Sequence, residues 1–109
     1  MSGGGGSTGP GGGFGADRGT SCDQLRFEAF LSGVQDSVLS SLEVGNVLSV
    51  DLQRTPVRAI VVRDASGAVL GALTTRVREL LRCLQQQVDF EAQVLSINGG
   101  DVRVAVRPR

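Results

Sequence analysis

The chain has 109 residues, enough for one hydrophobic core and too few for two. It is 40% hydrophobic with a mean hydropathy of +0.07 and no net charge, so disorder throughout is excluded. Histidine, tryptophan, tyrosine and lysine are absent, and the 11 cations are all arginine. Arginine stays protonated and cannot act as a general base, so imidazole, Schiff-base and imidazole-metal chemistry are excluded. A catalytic function would have to come from Asp, Glu, Ser or Cys alone, and a non-enzymatic role is expected. No cofactor or metal site is expected.

The first 20 residues hold ten of the 16 glycines, with Phe14 as the one sizeable apolar group. Residues 1–21 are therefore expected to form a disordered Gly-rich tail or linker, and residues 22–109 a single small domain. The glycines are not a phosphate loop, because no GxxxxGK[ST] pattern is present and no strand precedes them. No apolar run approaches the roughly 18 residues of a membrane span, and no signal-type leader is seen, so a cytoplasmic address is expected. Cys22 and Cys83 form no spaced ligand set. Reduced thiols are expected in that compartment, with a Cys22–Cys83 bridge as the alternative in an oxidising one.

Leu25, Phe27, Ala29 and Leu31 alternate with Arg26, Glu28 and Phe30, which predicts a first strand over 25–31. Val34, Val38, Leu39 and Leu42 then recur at helical spacing, with Asp36 in the first turn. A second strand follows, with Val44, Asn46, Leu48, Val50 and Leu52 on one face and Gly45, Val47, Ser49 and Asp51 on the other. The β-branched stretch 57–63 and the apolar run 69–73 flank Asp64-Ala65-Ser66-Gly67, a hairpin signal in which Gly67 takes positive φ. Thr74 or Thr75 is expected to cap a helix whose stripe is Val77, Leu80, Leu81 and Leu84. Segments 88–97 and 101–107 form a last hairpin about Asn98-Gly99, expected as a type I′ turn.

The order is strand, helix, three strands, helix, two strands. Six short strands with tight hairpins predict an α+β, mainly β fold, a partly open six-stranded barrel with two short helices. An α+β sandwich with both helices on one face is the other architecture compatible with this order.

Three groups of side chains could carry chemistry. Cys83, in the field of Arg76 or Arg82, could serve as a thiolate nucleophile, but its place beside the helical stripe favours packing. Asp89 and Glu91 are i and i+2 on a strand, about 7 Å apart on one face, a spacing that suits paired acids and equally a solvated strand face. On the last strand Val102, Val104 and Val106 face one way, and Arg103, Ala105 and Arg107 the other, with Arg109 beyond. Arg54, Arg58, Arg76, Arg78 and Arg82 could extend an arginine field of the kind that grips phosphates. Stacking aromatics are scarce: of Phe27, Phe30 and Phe90, at least two are expected in the core. Residues 17–53 carry two arginines against six acids and residues 54–109 nine against five. The imbalance fits an anionic partner for the second half or two halves with complementary surfaces.

The stretch 45–108 carries Gly45-Asn46-Val47-Leu48 with Val50 and Leu52, Arg58-Ala59-Ile60-Val61-Val62, Gly67-Ala68-Val69-Leu70-Gly71, the leucine-rich helix and Phe90-Glu91-Ala92-Gln93-Val94. In this it resembles the HIRAN domain, a modified OB- or SH3-like small barrel attached to helicases or standing alone in bacteria. The resemblance implies an OB/SH3-like barrel and a hold on single-stranded DNA ends. The family's polar Asn-Pro-x-Asp loop near its DNA site stands here as Arg54-Thr55-Pro56-Val57, keeping only the proline.

The function expected is a non-catalytic cytoplasmic adaptor of bacterial type, binding a protein partner or its own copies through exposed strand edges and the arginine face. The alternative is a single-stranded nucleic-acid module of HIRAN type, in which Arg54, Arg58, Arg103 and Arg107 grip phosphates. Neither a membrane nor a small-molecule cofactor is expected as a partner.

Overall fold

The computed structural model describes residues 21–109, so the expected Gly-rich tail lies, but for Ser21, outside the described residues. The elements are a 3-10 turn at Cys22–Gln24, β1 (Phe27–Phe30), α1 (Asp36–Leu39), β2 (Val47–Gln53), β3 (Ala59–Arg63), β4 (Val69–Leu73), α2 (Val77–Gln85), β5 (Phe90–Asn98) and β6 (Asp101–Pro108). All strand pairs are antiparallel, in the order β1-β6-β5-β2-β3-β4. The result is the curled, mainly β sheet with two short helices that the strand pattern predicts.

The curl brings the two edge strands together. Just past β1, Ser32 and Ala72 of β4 exchange backbone hydrogen bonds of 2.8 and 2.9 Å, and the Gln35 N–H donates to the Leu70 carbonyl at 2.8 Å. Gly71 makes this approach possible, because a Cβ there would lie 3.0 Å from the Ser32 oxygen and 3.2 Å from Leu31 Cβ. The strand edges expected to be exposed are thus joined over this stretch, leaving a partly open barrel.

The core lies inside the curl. Leu25, Ala29 and Leu31 from the first segment, Leu48 and Val50 from β2, Ile60 and Val62 from β3, and Phe90, Ala92 and Val94 from β5 meet Val102, Val104 and Val106. Truncating the buried Phe90 to alanine is expected to cost about 3–5 kcal/mol. α1 contributes Val38, and α2 closes the structure with Leu80 and Cys83.

Several local expectations change. The helix expected over 34–42 is a single turn, because Ser40 and Ser41 turn their hydroxyls back onto the Ser37 and Val38 carbonyls and compete with the ladder. β2 starts at Val47, since Asn46 folds back on Glu43 through both its amide and its side chain, leaving Val44 exposed. No threonine caps α2: the N-cap is Arg76 at φ 53°, whose guanidinium takes Glu79 in two hydrogen bonds of 3.2 and 2.9 Å. The far end of α2 closes as a Schellman motif on Gln87 at φ 65°, with Gln87 and Val88 donating to Leu84 and Cys83. In the last hairpin Asn98 pairs with Asp101, so the turn centres on Gly99-Gly100. Only Gly99 of the two takes positive φ, as in a type II′ turn, so the expected type I′ turn on Asn98-Gly99 is displaced by one residue.

The reduced-thiol expectation is overturned. Cys22 and Cys83 are disulfide-bonded, with Cα atoms 5.5 Å apart, tying the 3-10 turn to the buried face of α2. The spacing in sequence hid this because curling of the sheet alone brings residues 61 positions apart into contact.

Candidate functional site

The phase of β6 is as the alternation predicts. Val102, Val104 and Val106 are buried, and Arg103, Ala105 and Arg107 look outward. The outer face extends over β1, β6, β5 and β2, and register fixes what meets on it. Glu28 lies opposite Ala105 and Phe30 opposite Arg103, while Glu91 of β5 lies opposite Arg107.

Arg103, Arg107 and Arg109 of this face are held by acids, while Arg26 beside them meets none among the described residues. Arg103 is hydrogen-bonded to Glu28 across the β1–β6 pairing. Arg107 donates to Glu91 at 2.7 Å and to Gln93 at 3.0 Å, and Arg109 approaches the other Glu91 oxygen at 3.7 Å. Such half-exposed pairs add only about 0–1 kcal/mol each, so their main effect is to cancel charge on the face. Asp51 holds Arg63 in the same way at 3.2 Å. Of the two explanations for the uneven charge, complementary halves thus has direct support: Glu28 and Asp51 of the acidic half meet Arg103 and Arg63 of the basic half.

Between these pairs, beside Ser49 and Gln93, the face also carries exposed apolar side chains. Phe30 is 58% exposed and Val47 50% exposed. Leu95 joins them through a bulge: β5 slips register between Val94 and Ser96, so Leu95 and Ser96 together oppose Arg103. Phe90 and Phe27 pack in or against the core, and the Arg76 guanidinium sits 5.8 Å over the Phe27 ring. Phe30 is therefore the one described phenylalanine open to a stacking ligand.

Arg54 and Arg58 are elsewhere. They belong to the β2–β3 loop, which turns through a cis Thr55–Pro56 peptide. Arg54 lies five residues beyond Ser49, and Ser49 sits two strands from Arg107 along one row of the sheet, which places Arg54 on the order of 20 Å from Arg107. The four arginines expected to act together fall into two groups, Arg103 with Arg107 and Arg54 with Arg58.

Arg58 of the second group lines an apolar cavity of about 140 Å³ at the end of the barrel, and Arg54 starts the same loop. Leu52 and Ile60, a cross-strand pair, form its floor, α2 supplies Val77 and Leu81, and Arg58 with Ala59 completes the wall. Neither Arg54, Arg58 nor Arg78 forms an ion pair with any described residue. The alternation of the strands and the helical stripe each contain this cavity's residues, but only the crossing of α2 over the barrel mouth assembles them.

The other sequence candidates have local roles. Cys83 is in the disulfide, so no free thiol remains for nucleophilic chemistry in this state. Asp89 contributes its carbonyl to the Arg109 N–H, and Glu91 is engaged by two arginines. A larger depression of about 490 Å³ runs between α1 and the β3–β4 turn, past Ser41, Asn46 and Asp64. The Asp64 carboxyl is held below its usual pKa, chiefly by the Ser66 hydroxyl at 2.6 Å and then by the Ala68 N–H at 3.0 Å. It closes its own turn.

Among the described residues no three cysteine or carboxylate side chains cluster to hold a metal, and no helix is long and apolar enough to cross a membrane. No family model, curated protein or solved structure matches the chain.

Proposed function

We propose that the domain is a non-catalytic binding module that works by contact with another protein. The observation that carries this reading is the outer face: Arg103, Arg107 and Arg109 are ion-paired within the face to Glu28 and Glu91, while Phe30 and Val47 stand exposed beside them with the half-buried Leu95. Nucleic-acid grooves combine uncompensated cations with several stacking aromatics, and this face offers the reverse. With Cys83 in a disulfide, the thiol nucleophile the sequence offered is taken up by the bond to Cys22.

The bond between Cys22 and Cys83 bears on location. Disulfides persist in oxidising surroundings and are rare in the cytosol, so a non-reducing compartment fits this domain better than a cytoplasmic one.

The HIRAN-type reading keeps one point in its favour. The loop that corresponds to that family's DNA-proximal segment carries Arg54 and Arg58, both exposed and without a described acidic partner. Fluorescence anisotropy of labelled single-stranded DNA, with and without a free 3′ end, separates the two readings. A flat titration at low salt is expected. Micromolar binding that weakens as salt rises would overturn the protein-contact reading.

A further inference from the structure

We propose that the barrel end between the β2–β3 loop and α2 binds an acidic peptide segment through one branched aliphatic anchor. The inference rests on the protein-contact reading and names where the contact is made and by what chemistry.

The cavity sets the anchor. An apolar space of roughly 150 Å³ accommodates a group the size of benzene, and the barrel-end cavity of about 140 Å³ takes one leucine- or isoleucine-sized side chain. Its floor and far wall are the aliphatic carbons of Leu52, Ile60, Val77 and Leu81, with no acid or amide among its lining residues. Val77 keeps 36% of its surface exposed and Val57 of the adjoining loop 68%, so apolar surface continues outward from the cavity. These are the conditions under which one buried anchor dominates a contact.

The rim sets the charge. Arg58 lines the cavity, Arg54 begins the same loop, and Arg78 lies three residues from Leu81, hence beside it on the helix. On the sheet face Arg63, Arg103, Arg107 and Arg109 meet acids; at this rim none of the three meets one among the described residues. Like charges gathered around an apolar opening repel one another and favour a partner that brings carboxylates to both sides of its anchor.

The test uses the whole oxidised chain and the acetylated pentapeptide Asp-Glu-Leu-Glu-Asp, followed by amide NMR. Expected are shifts at Leu52, Ile60, Val77 and Leu81, and an affinity that falls with added salt. Replacing the central leucine by serine should weaken binding about tenfold or more, as loss of an aliphatic group from an apolar pocket does. Arg58→Glu and Val77→Asp alter exposed positions, so a retained amide spectrum is expected together with lost binding. Equal binding of the leucine and serine peptides, or shifts confined to the β6 face, would overturn the proposal. So would absence of binding by either peptide; with single-stranded DNA also unbound, that result would leave the protein-contact reading standing without this site. Binding of single-stranded DNA that Arg58→Glu abolishes would remove both.

Discussion

Glu91 accepts from the Arg107 Nε at 2.7 Å with one oxygen and faces the Arg109 Nε at 3.7 Å with the other. One partly buried carboxylate thereby restrains Arg107 of the last strand and Arg109 just beyond it, and Glu28 restrains a third cation, Arg103. Replacing Glu28 and Glu91 by glutamine keeps shape and removes this restraint. The double variant should gain salt-sensitive affinity for single-stranded DNA or heparin, with the log–log salt slope steeper by about one for each arginine released. Unchanged affinity would mean that the face fails to bind polyanions for a reason other than its acids.

The disulfide closes a loop across a separation of 61 residues, and the chain-entropy estimate for such a loop is about 4 kcal/mol. Denaturant unfolding with and without reductant, alongside Cys22→Ser, should show a loss of that order. Cys83→Ser should be worse than Cys22→Ser, because Cys83 is fully buried and a serine hydroxyl there would need a partner. Coincident midpoints in oxidant and reductant would show that the bond contributes nothing to the fold.

At Gly71 the added carbon of alanine would press on the Ser32 carbonyl, and valine would press harder. Gly71→Val should cost about 1–3 kcal/mol as overpacking. The Ser32 and Ala72 amides should also exchange hydrogen faster than the β5–β6 amides do. Uniform acceleration across the domain would indicate general destabilisation rather than opening at this contact.

Asp64 gives a pH signature. Its carboxyl titrates lower in the folded chain than its ordinary value of 3.8, because the Ser66 hydroxyl and the Ala68 and Ser66 amides hydrogen-bond the charged form. The stabilisation is therefore full above the ordinary value and is lost as pH falls through the lowered one. Asp64→Asn should melt below the wild type at neutral pH, and the gap should close on acidification past that point. A gap that persists in acid would assign the effect to something other than charge.

Much of the fold was legible because one period governs most segments. The valines of β6, with Leu48 and Val50 of β2, sit where alternation puts them, and Asp64 to Gly67 closes the turn its residue types suit. Alternation fails where the backbone changes phase: Leu95 faces outward as the repeat from Phe90 to Val94 requires, but the bulge there returns Ile97 toward the core, which a strict two-residue repeat cannot foresee. Phe30 was visible on the polar phase of β1, yet its exposure gained meaning only when register put Arg103 beside it. The pairing of Cys22 with Cys83 and the cavity beneath α2 depend on chain crossings many residues apart, and no local pattern encodes them. The arginine field divided for the same reason, since closeness in residue type says nothing about placement around a barrel.

The joining of the sheet's ends at Ser32 and Ala72 bears on how recognition can change over generations. Over that stretch a newcomer cannot be accepted by lending it a row of amides and must be met by side chains, whereas β1 still pairs on one side only. Preference for one partner over another would then be adjusted a residue at a time, at positions such as Phe30, Val57 or Val77, with the scaffold beneath unaltered. Such a domain can diversify what it holds while its architecture stays fixed.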